Sequence, residues 1–420
     1  MILAGCVTRP APAPPPLPPP PPVMQLPPPA PEVRVQPLPQ SPQIDLTAAS
    51  FGDLRGWEGT DPRAALTAFL RSCRAISGKA AGTSLGGVNY AGTPEDWRDV
   101  CDEAAETNTN DSAAVRAFFV KDFVPYRVAQ GSAPGLFTGY YEPELKGSRT
   151  KHGTYQTPLY GIPADLVSVD LGLFRDTFKG QRLAGQVRNG RLVPYPARAE
   201  IVARGITGTQ PLFYVDDPVD AFFLHIQGSG RVRLDDGSIV RAAFAGQNGQ
   251  PYTAIGAVLV ERGEMMREQV SLQSIRAWMA AHPGEANMLM NANASYVFFT
   301  ERPIGDARLG AAGTEGVPLT PEASLAVDTG IHAMGVPVWL ETLAPDPDAS
   351  KPDRHFDRLL VMQDTGGAIR GPVRGDVYWG YGPGPGAIAG RMRSEGRMTV
   401  LLPKRVAAKL GPSTGFMGPR

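Results

Sequence analysis

The sequence predicts a mainly β fold with peripheral helices, in the α+β class. Glycine and proline are abundant, at 48 and 43 of 420 residues, and both disfavour long helices and favour turns. Helix-start signals cluster before residue 120, whereas short β-type runs separated by turn residues follow from residue 135. No apolar run is long enough to predict a transmembrane helix, which needs about 18 residues.

Composition and charge exclude several functional classes. Lysine plus arginine and aspartate plus glutamate both number 41, so a formal net charge of zero gives no electrostatic reason to expect nucleic acid as a partner. Hydrophobic residues make up 42%, which is ordinary for a soluble globular protein. The three cysteines and five histidines form no CxxC, HExxH or Cys/His cluster, so a zinc site is not supported.

The first 44 residues are predicted to be a tether. Residues 3–6 spell Leu-Ala-Gly-Cys, which resembles a bacterial lipobox with Cys6 as the lipid-bearing residue. Residues 8–43 contain 17 prolines in 36 positions, a composition that favours extended polyproline II. At about 3.1 Å per residue, this segment spans roughly 100 Å. Either it holds a catalytic body away from a membrane, or the motif is a chance match and the segment a plain linker.

Three helix starts predict a small N-terminal helical unit. Asp61 precedes a proline, Thr93 precedes another, and Asp111 precedes a third helical pattern. Cys73 and Cys101 lie on the apolar faces of the first two helices. They are either two separate buried thiols or, in an exported protein, a disulfide.

The rest of the chain predicts strands with a few helices. Residues 135–160 are β-like and aromatic, and residues 232–241 form a hairpin around Asp236-Gly237. Helices are expected at residues 252–262, from Ser271, and at residues 321–327. Further strands are expected at residues 221–226, 336–341, 358–362, 376–379 and 397–402.

Two aspartates are the strongest candidates for catalysis. Asp364 ends a predicted strand, a glycine-rich turn containing Gly366 follows, and Asp376 opens the next strand. Such carboxylates can converge across a tight loop, and close neighbours cannot both ionise freely, so one can act as a general acid. Arg370 and Arg374 oppose this if they point inward, which leaves open which carboxylate is protonated. Asp364 could instead simply cap its turn.

Two other clusters offer groups that suit a sugar. Residues 135–143 include Thr138 and the adjacent Tyr140 and Tyr141, which strand alternation places on opposite faces. Gln227 and Ser229 follow a predicted strand and present an amide and a hydroxyl, which can bind sugar hydroxyls and N-acetyl groups. The alternative for the second cluster is an ordinary hairpin turn.

Taken together and in this order, these pieces resemble the lytic murein transglycosylase A (MltA) family. The similarity covers roughly residues 135–405, about two-thirds of the chain, and its C-terminal part resembles the family's 3D domain. The loop between Asp364 and Asp376 is about one residue longer than the family pattern. The matching pieces are residues 137–141, 158–160, 223–230, 245–263, 293–299, 316–321 and 364–380.

The resemblance implies a double-ψ β-barrel with a second, smaller β-barrel inserted into it and a glycan groove at their junction. It implies that Asp376 is catalytic with Asp364 beside it, and that the groove is lined by Thr138, Tyr140, Tyr141, Gln227, Ser229 and Gly366. The implied boundaries are a tether at 1–44, the helical part and first barrel segment at 45–144, the insert at 145–280, the second barrel segment at 281–405, and a tail at 406–420.

The resemblance also implies the reaction. The family cleaves the β-1,4 bond from N-acetylmuramic acid to N-acetylglucosamine in peptidoglycan, and the muramic C6 hydroxyl attacks C1 to give a 1,6-anhydro ring. Intramolecular attack reaches effective molarities of about 10⁵–10⁸ M, so no bound water, metal or cofactor is required. The expected location is the periplasmic side of the outer membrane, and partners in cell-wall synthesis or division stay unidentified.

Three other functions stay open. An aspartic protease needs two Asp-Thr-Gly triplets, and residues 364–366 and 328–330 supply the letters, although the second triplet follows a predicted helix. A catalytically silent lipoprotein would bind the cell wall without cleaving it. A hydrolase would leave a reducing end in place of the anhydro sugar.

Overall fold

A computed structural model describes residues 43–417, apart from 130, 132, 133 and 179–181. Cys6 and the proline-rich segment lie outside the described residues. Within the described ranges, every helix is too short or too polar to cross a membrane.

The elements are numbered in chain order. The strands are β1 (Gln43–Ala48), β2 (Phe123–Ala129), β3 (Gly135–Glu142), β4 (Glu144–Ser148), β5 (Thr157–Tyr160), β6 (Val167–Asp170), β7 (Arg182–Arg188), β8 (Arg191–Pro194), β9 (Pro211–Val215), β10 (Gly230–Leu234), β11 (Ile239–Gln247), β12 (Val297–Pro303), β13 (Ser324–Val327), β14 (Pro337–Ala344), β15 (Arg354–Asp364), β16 (Arg374–Tyr381), β17 (Arg393–Pro403) and β18 (Ser413–Met417). The helices are α1 (Arg63–Ser77), α2 (Pro94–Glu106), α3 (Ser112–Asp122), α4 (Arg198–Arg204), α5 (Pro218–Gln227), α6 (Ile255–Glu261), α7 (Leu272–Ala281), α8 (Pro283–Asn291), α9 (Pro383–Ala389) and α10 (Lys404–Ala407).

Six strands close into a barrel. Their order is β14-β15-β13-β16-β3-β17, and pairing between β14 and β17 completes the ring. The pairs β13–β15 and β16–β3 are parallel, and the other four are antiparallel. Only β3 comes from before residue 145, so the barrel is built from two distant segments, and the predicted fold class is confirmed. Strands β2, β1 and β18 extend the sheet from β17.

The three N-terminal helices pack on the barrel as the sequence predicts. The Thr93 backbone N–H donates to Asp96 at the start of α2, and the Asp111 carboxylate accepts two backbone N–H groups at the start of α3. These caps satisfy donors that the first turn leaves unpaired. Cys73 on α1 and Cys101 on α2 form a disulfide with Cα atoms 5.5 Å apart. The disulfide alternative is therefore the correct one.

Removing this disulfide should destabilise the helical unit. The double variant Cys73→Ser/Cys101→Ser is expected to lose about 3.5 kcal/mol of unfolding free energy, because the bridge spans a separation of 28 residues and restricts the unfolded chain. Urea unfolding of the two proteins measures the difference. A reducing agent should shift the parent's transition and leave the double variant unchanged. Equal stability of parent and variant would contradict the prediction.

A second β domain is inserted between β3 and β13. Its six strands run in the order β12-β11-β10-β4-β9-β5, and the edge strands β5 and β12 contact each other, so the sheet curls around its own core. The predicted hairpin is present as β10–β11. The sheets divide the chain differently from the expected boundaries at two places: β12 lies beyond residue 280 but joins this sheet, and β18 lies beyond residue 405 but pairs with β1.

Two predicted elements are wrong. Residues 221–226 form part of helix α5, not a strand, because Asp217 caps the helix and the apolar run is buried on several sides. Residues 321–327 contain strand β13, not a helix, because β15 and β16 pair with it on both edges. In both segments a continuous apolar run carries no distinguishing period, so tertiary contacts decide. The other predicted helices and strands are present with shifted ends.

Candidate active site

A cavity of about 350 Å³ lies between the barrel and the second domain. The barrel contributes residues of β3, β13 and β16 and the glycine-rich segment after β15. The second domain contributes the end of α5 and parts of β11 and β12. Side chains from both domains therefore line the cavity, at the junction where the resemblance to the MltA family implies a groove.

The two aspartates lie in one row across four neighbouring strands. Ala326 on β13 is in register with Asp364 on one side and with Asp376 on the other. Asp376 is in turn in register with Thr138 on β3. Neighbouring strands are roughly 4.8 Å apart, so the two aspartate Cα atoms are separated by about 10 Å. The carboxylates thus flank a small alanine on an intervening strand, and do not face each other directly across their connecting loop.

One oxygen of Asp376 is held and the other is free. Oδ1 accepts from the Thr138 hydroxyl and from Arg374 Nη1, the latter at 2.5 Å. Among the described residues, no donor contacts Oδ2. The Asp376 side chain is 22% exposed and lines the cavity. Of the two arginines considered above, Arg374 points inward, whereas Arg370 donates to the carbonyl of Ile369.

Both oxygens of Asp364 are engaged. Oδ1 accepts from the backbone N–H and the hydroxyl of Thr314 at 2.9 and 3.0 Å, and Oδ2 accepts from the Tyr140 hydroxyl at 2.9 Å. Burial raises the pKa of Asp364, against the opposing effect of these hydrogen bonds. Burial and the Asp364 charge raise the pKa of Tyr140 well above its usual value, so its hydroxyl stays a donor. Asp364 is therefore arranged to hold its neighbours in position.

Four of the six predicted sugar-binding residues line the cavity: Thr138, Tyr140, Gln227 and Gly366. Tyr141 and Ser229 do not. The ring of Tyr141 is 8% exposed and packs against α9, and its backbone N–H donates to Gln227 Oε1 at 3.0 Å. Gln227 is the last residue of a helix, not the end of a strand.

Two exposed aromatic residues in the cavity were missed by the sequence analysis. Phe244 and Tyr252 are 53% and 42% exposed, although large aromatic side chains are usually buried. Both line the cavity from the second domain. Phe244 lies in the sequence Ala-Ala-Phe-Ala-Gly, so its sequence neighbours are all small. This pattern could have predicted an aromatic ring with few packing partners.

The geometry does not form the dyad of an aspartic protease. Asp328 follows strand β13, so the prediction that a helix precedes the 328–330 triplet is wrong. However, its carboxylate accepts from the backbone N–H groups of Gly330 and Gly371 at 3.0 and 2.9 Å, and it does not line the cavity with Asp364. Across the described part of the chain, no three His, Cys, Asp or Glu side chains are arranged to hold a metal ion.

The fold and the site define a two-domain β protein with a cleft that holds a carboxylate available for acid–base chemistry. Family models match at both domains: the MltA specific insert domain at residues 136–300 and the 3D domain at residues 323–402. The membrane-bound lytic murein transglycosylase from Agrobacterium tumefaciens has a similar structure, with a TM-score of 0.76 and 32% identity, covering 87% of this chain and 99% of that one. The chain belongs to the MltA family.

Two further relatives bear on function. Membrane-bound lytic murein transglycosylase A of Escherichia coli (strain K12) is 34% identical over 267 residues, which is 63% of this chain. The present chain spans about 65% of the length of that relative. A structure of E. coli MltA with bound chitohexaose has a TM-score of 0.59 and 28% identity, covering 80% of this chain and 90% of that one.

Proposed function

We propose that this protein is a peptidoglycan lytic transglycosylase. It cleaves the β-1,4 bond from N-acetylmuramic acid to N-acetylglucosamine without water and leaves a 1,6-anhydromuramyl end. The names of the relatives support this activity, and the chitohexaose bound to E. coli MltA supports a β-1,4-linked glycan as the ligand.

The single observation that carries the proposal is a cleft with one carboxylate oxygen free for chemistry. Asp376 Oδ2 is free among the described residues, whereas both oxygens of Asp364 accept hydrogen bonds. A hydrolytic glycosidase requires two working carboxylates, one of them to activate water or attack the sugar. A substrate that supplies its own nucleophile needs only one, because the C6 hydroxyl is already held close to C1.

Although Arg374 contacts Oδ1, the proposed mechanism places a proton on Asp376 Oδ2 once the bound glycan excludes water from the cleft. Oδ2 donates this proton to the glycosidic oxygen as the bond to C1 breaks. The carboxylate that forms is stabilised through Oδ1 by Arg374 and Thr138. The C6 hydroxyl then attacks C1, and its proton passes to Asp376, which restores the starting state. Asp364 is a positioning residue, since it is held by Thr314 and orients Tyr140, which lines the cavity beside the reacting sugar.

The exposed aromatic residues are proposed to bind the glycan. Phe244 and Tyr252 offer ring faces on which sugar rings can stack, and Gln227 and Tyr140 offer polar groups to hydroxyl and acetamido substituents. Gly366 lines the same cavity from the glycine-rich segment after β15. The predicted roles of Tyr141 and Ser229 stay predictions and are indirect in this arrangement.

Anchoring to the outer membrane is a further part of the proposal. A lipid on Cys6 and the proline-rich segment would hold the catalytic domains on the periplasmic side, within reach of the cell wall. Relatives described as membrane-bound support this location.

Digestion of purified sacculi tests the function. The proposal expects soluble muropeptides with anhydro ends, lighter by one water than hydrolytic products of the same composition, and mass spectrometry distinguishes the two. Heat-denatured protein is the control. Products with reducing ends would replace the proposal with a hydrolase, and binding to sacculi without release would identify a wall-binding protein.

A further inference from the structure

The second-domain side of the cavity contains a buried cation without an anionic partner. Arg198 is 4% exposed and opens helix α4. Its Nε donates to the carbonyl of Asn293 at 3.1 Å and its Nη2 to the carbonyl of Ser295 at 2.6 Å. Nη1 has no acceptor, and no carboxylate pairs with the guanidinium, among the described residues. Burial lowers the pKa of Arg198 to about 10, so the group is still charged at neutral pH.

Two more donors line the same cavity. His225 is 6% exposed, and its Nδ1 accepts the backbone N–H of Val297 at 3.2 Å. Burial and the Arg198 charge lower the pKa of His225 well below its usual value, so the neutral ring carries its proton on Nε2. Asn293 is 1% exposed and accepts two backbone N–H groups at Oδ1, which leaves Nδ2 as a donor. Neither His225 Nε2 nor Asn293 Nδ2 has an acceptor in the described ranges.

Three donors that line the cavity without a protein acceptor in the described ranges point to a ligand that supplies one. The Arg198 guanidinium lies over the rings of Phe222 and Tyr296, at 4.8 and 5.1 Å from their centroids, but a neutral ring does not neutralise its charge as an incoming carboxylate would. The carbonyl contacts of Arg198 tie α4 to the segment before β12, but they use only two of its three nitrogens. Arg198 and His225 also border a smaller cavity of about 90 Å³, whose other walls include Ile201, Phe222 and Met290.

We propose that Arg198, with His225 and Asn293, receives a carboxylate of the substrate. This inference rests on the proposed function, and it names the part of the glycan that the second domain recognises. Peptidoglycan carries carboxylates in two places, on the lactyl ether of muramic acid when the peptide is absent and on the peptide stem when it is present. A chitin strand carries neither. The site would therefore distinguish muramic acid from N-acetylglucosamine. It would also determine which glycosidic bond of the glycan lies over Asp376.

Calorimetric binding to the Asp376→Asn protein, which prevents turnover, tests the inference. The probes are chitohexaose, a peptide-free hexasaccharide of alternating N-acetylglucosamine and N-acetylmuramic acid, and the same hexasaccharide bearing peptide stems. Each acidic probe is compared with its own carboxamide derivative. The expected result is that one acid binds about 10-fold tighter than its amide, as a charge-assisted hydrogen bond predicts. The pair that shows this preference identifies the source of the carboxylate.

Adding Arg198→Met should abolish the preference and change chitohexaose affinity by less than about 3-fold, because chitohexaose has no carboxylate for the guanidinium to bind. Arg204→Met is the matched control on the same helix, since its side chain lines neither cavity, and it should keep the preference. If Arg198→Met does not fold, the comparison of acid with amide on the parent still decides. Equal binding of both pairs, with chitohexaose still bound, overturns the inference alone, whereas absence of all glycan binding overturns the proposed function.

Discussion

Asp376→Asn should reduce the release of anhydromuropeptides from sacculi by about 10³-fold or more, because an amide can neither donate nor recover the proton. Asparagine keeps the size of the side chain and an oxygen that can accept from Thr138 and Arg374. The fold and the affinity for chitohexaose should therefore be retained. Quantitative chromatography of soluble products, with calorimetric binding in parallel, measures both.

Asp328→Asn is the matched control for this substitution. It makes the same chemical change in the Asp-Thr-Gly triplet at residues 328–330, where the carboxylate accepts backbone N–H groups outside the cavity. The proposed mechanism expects near-parent activity in Asp328→Asn, whereas an aspartic protease built on Asp328 and Asp364 would lose activity with Asp328→Asn and keep it with Asp376→Asn. Turnover above one-tenth of the parent in Asp376→Asn would assign the proton transfer to another group.

The second large effect is expected at Glu142, which is 1% exposed at the end of β3. Its Oε1 accepts from Arg241 at 2.7 Å, and its Oε2 lies 3.5 Å from both Arg231 and the Tyr378 hydroxyl. Glu142→Gln leaves two buried guanidinium groups without an anion, so we expect a loss of about 3–5 kcal/mol in unfolding free energy. Urea denaturation measures it.

Glu144→Gln provides the comparison for that loss. Glu144 lies two residues further along the chain and pairs with Arg233 at 2.8 Å, where both side chains are partly exposed. Exposed pairs contribute about 0–1 kcal/mol, so this variant should unfold almost as the parent does. A loss below about 1 kcal/mol in Glu142→Gln would mean that the buried arginines do not depend on the carboxylate. Since Glu142 lies in the barrel and both arginines in the second domain, the ion cluster links the two walls of the groove.

Some caps and turns could be predicted from the sequence because they depend only on neighbours along the chain. The Thr93 and Asp111 caps and the Asp236-Gly237 turn are each completed within a few residues, and each is present. Segments 221–226 and 321–327 were wrong because an apolar run fits a helix or a strand equally well. Capping by Asp217 decided the first, and pairing with β15 and β16 decided the second.

The sequence by itself determined the β-rich class, the helical unit and two aspartates that both line the cavity, because residue types and short spacings carry that information. Only the tertiary structure decided that Ala326 separates the aspartates, that Arg374 binds Asp376 and that Arg198 lines the cavity. Register between strands from distant segments, and burial by a domain inserted between them, arise only when the whole chain packs. Neither leaves a periodic trace along the sequence.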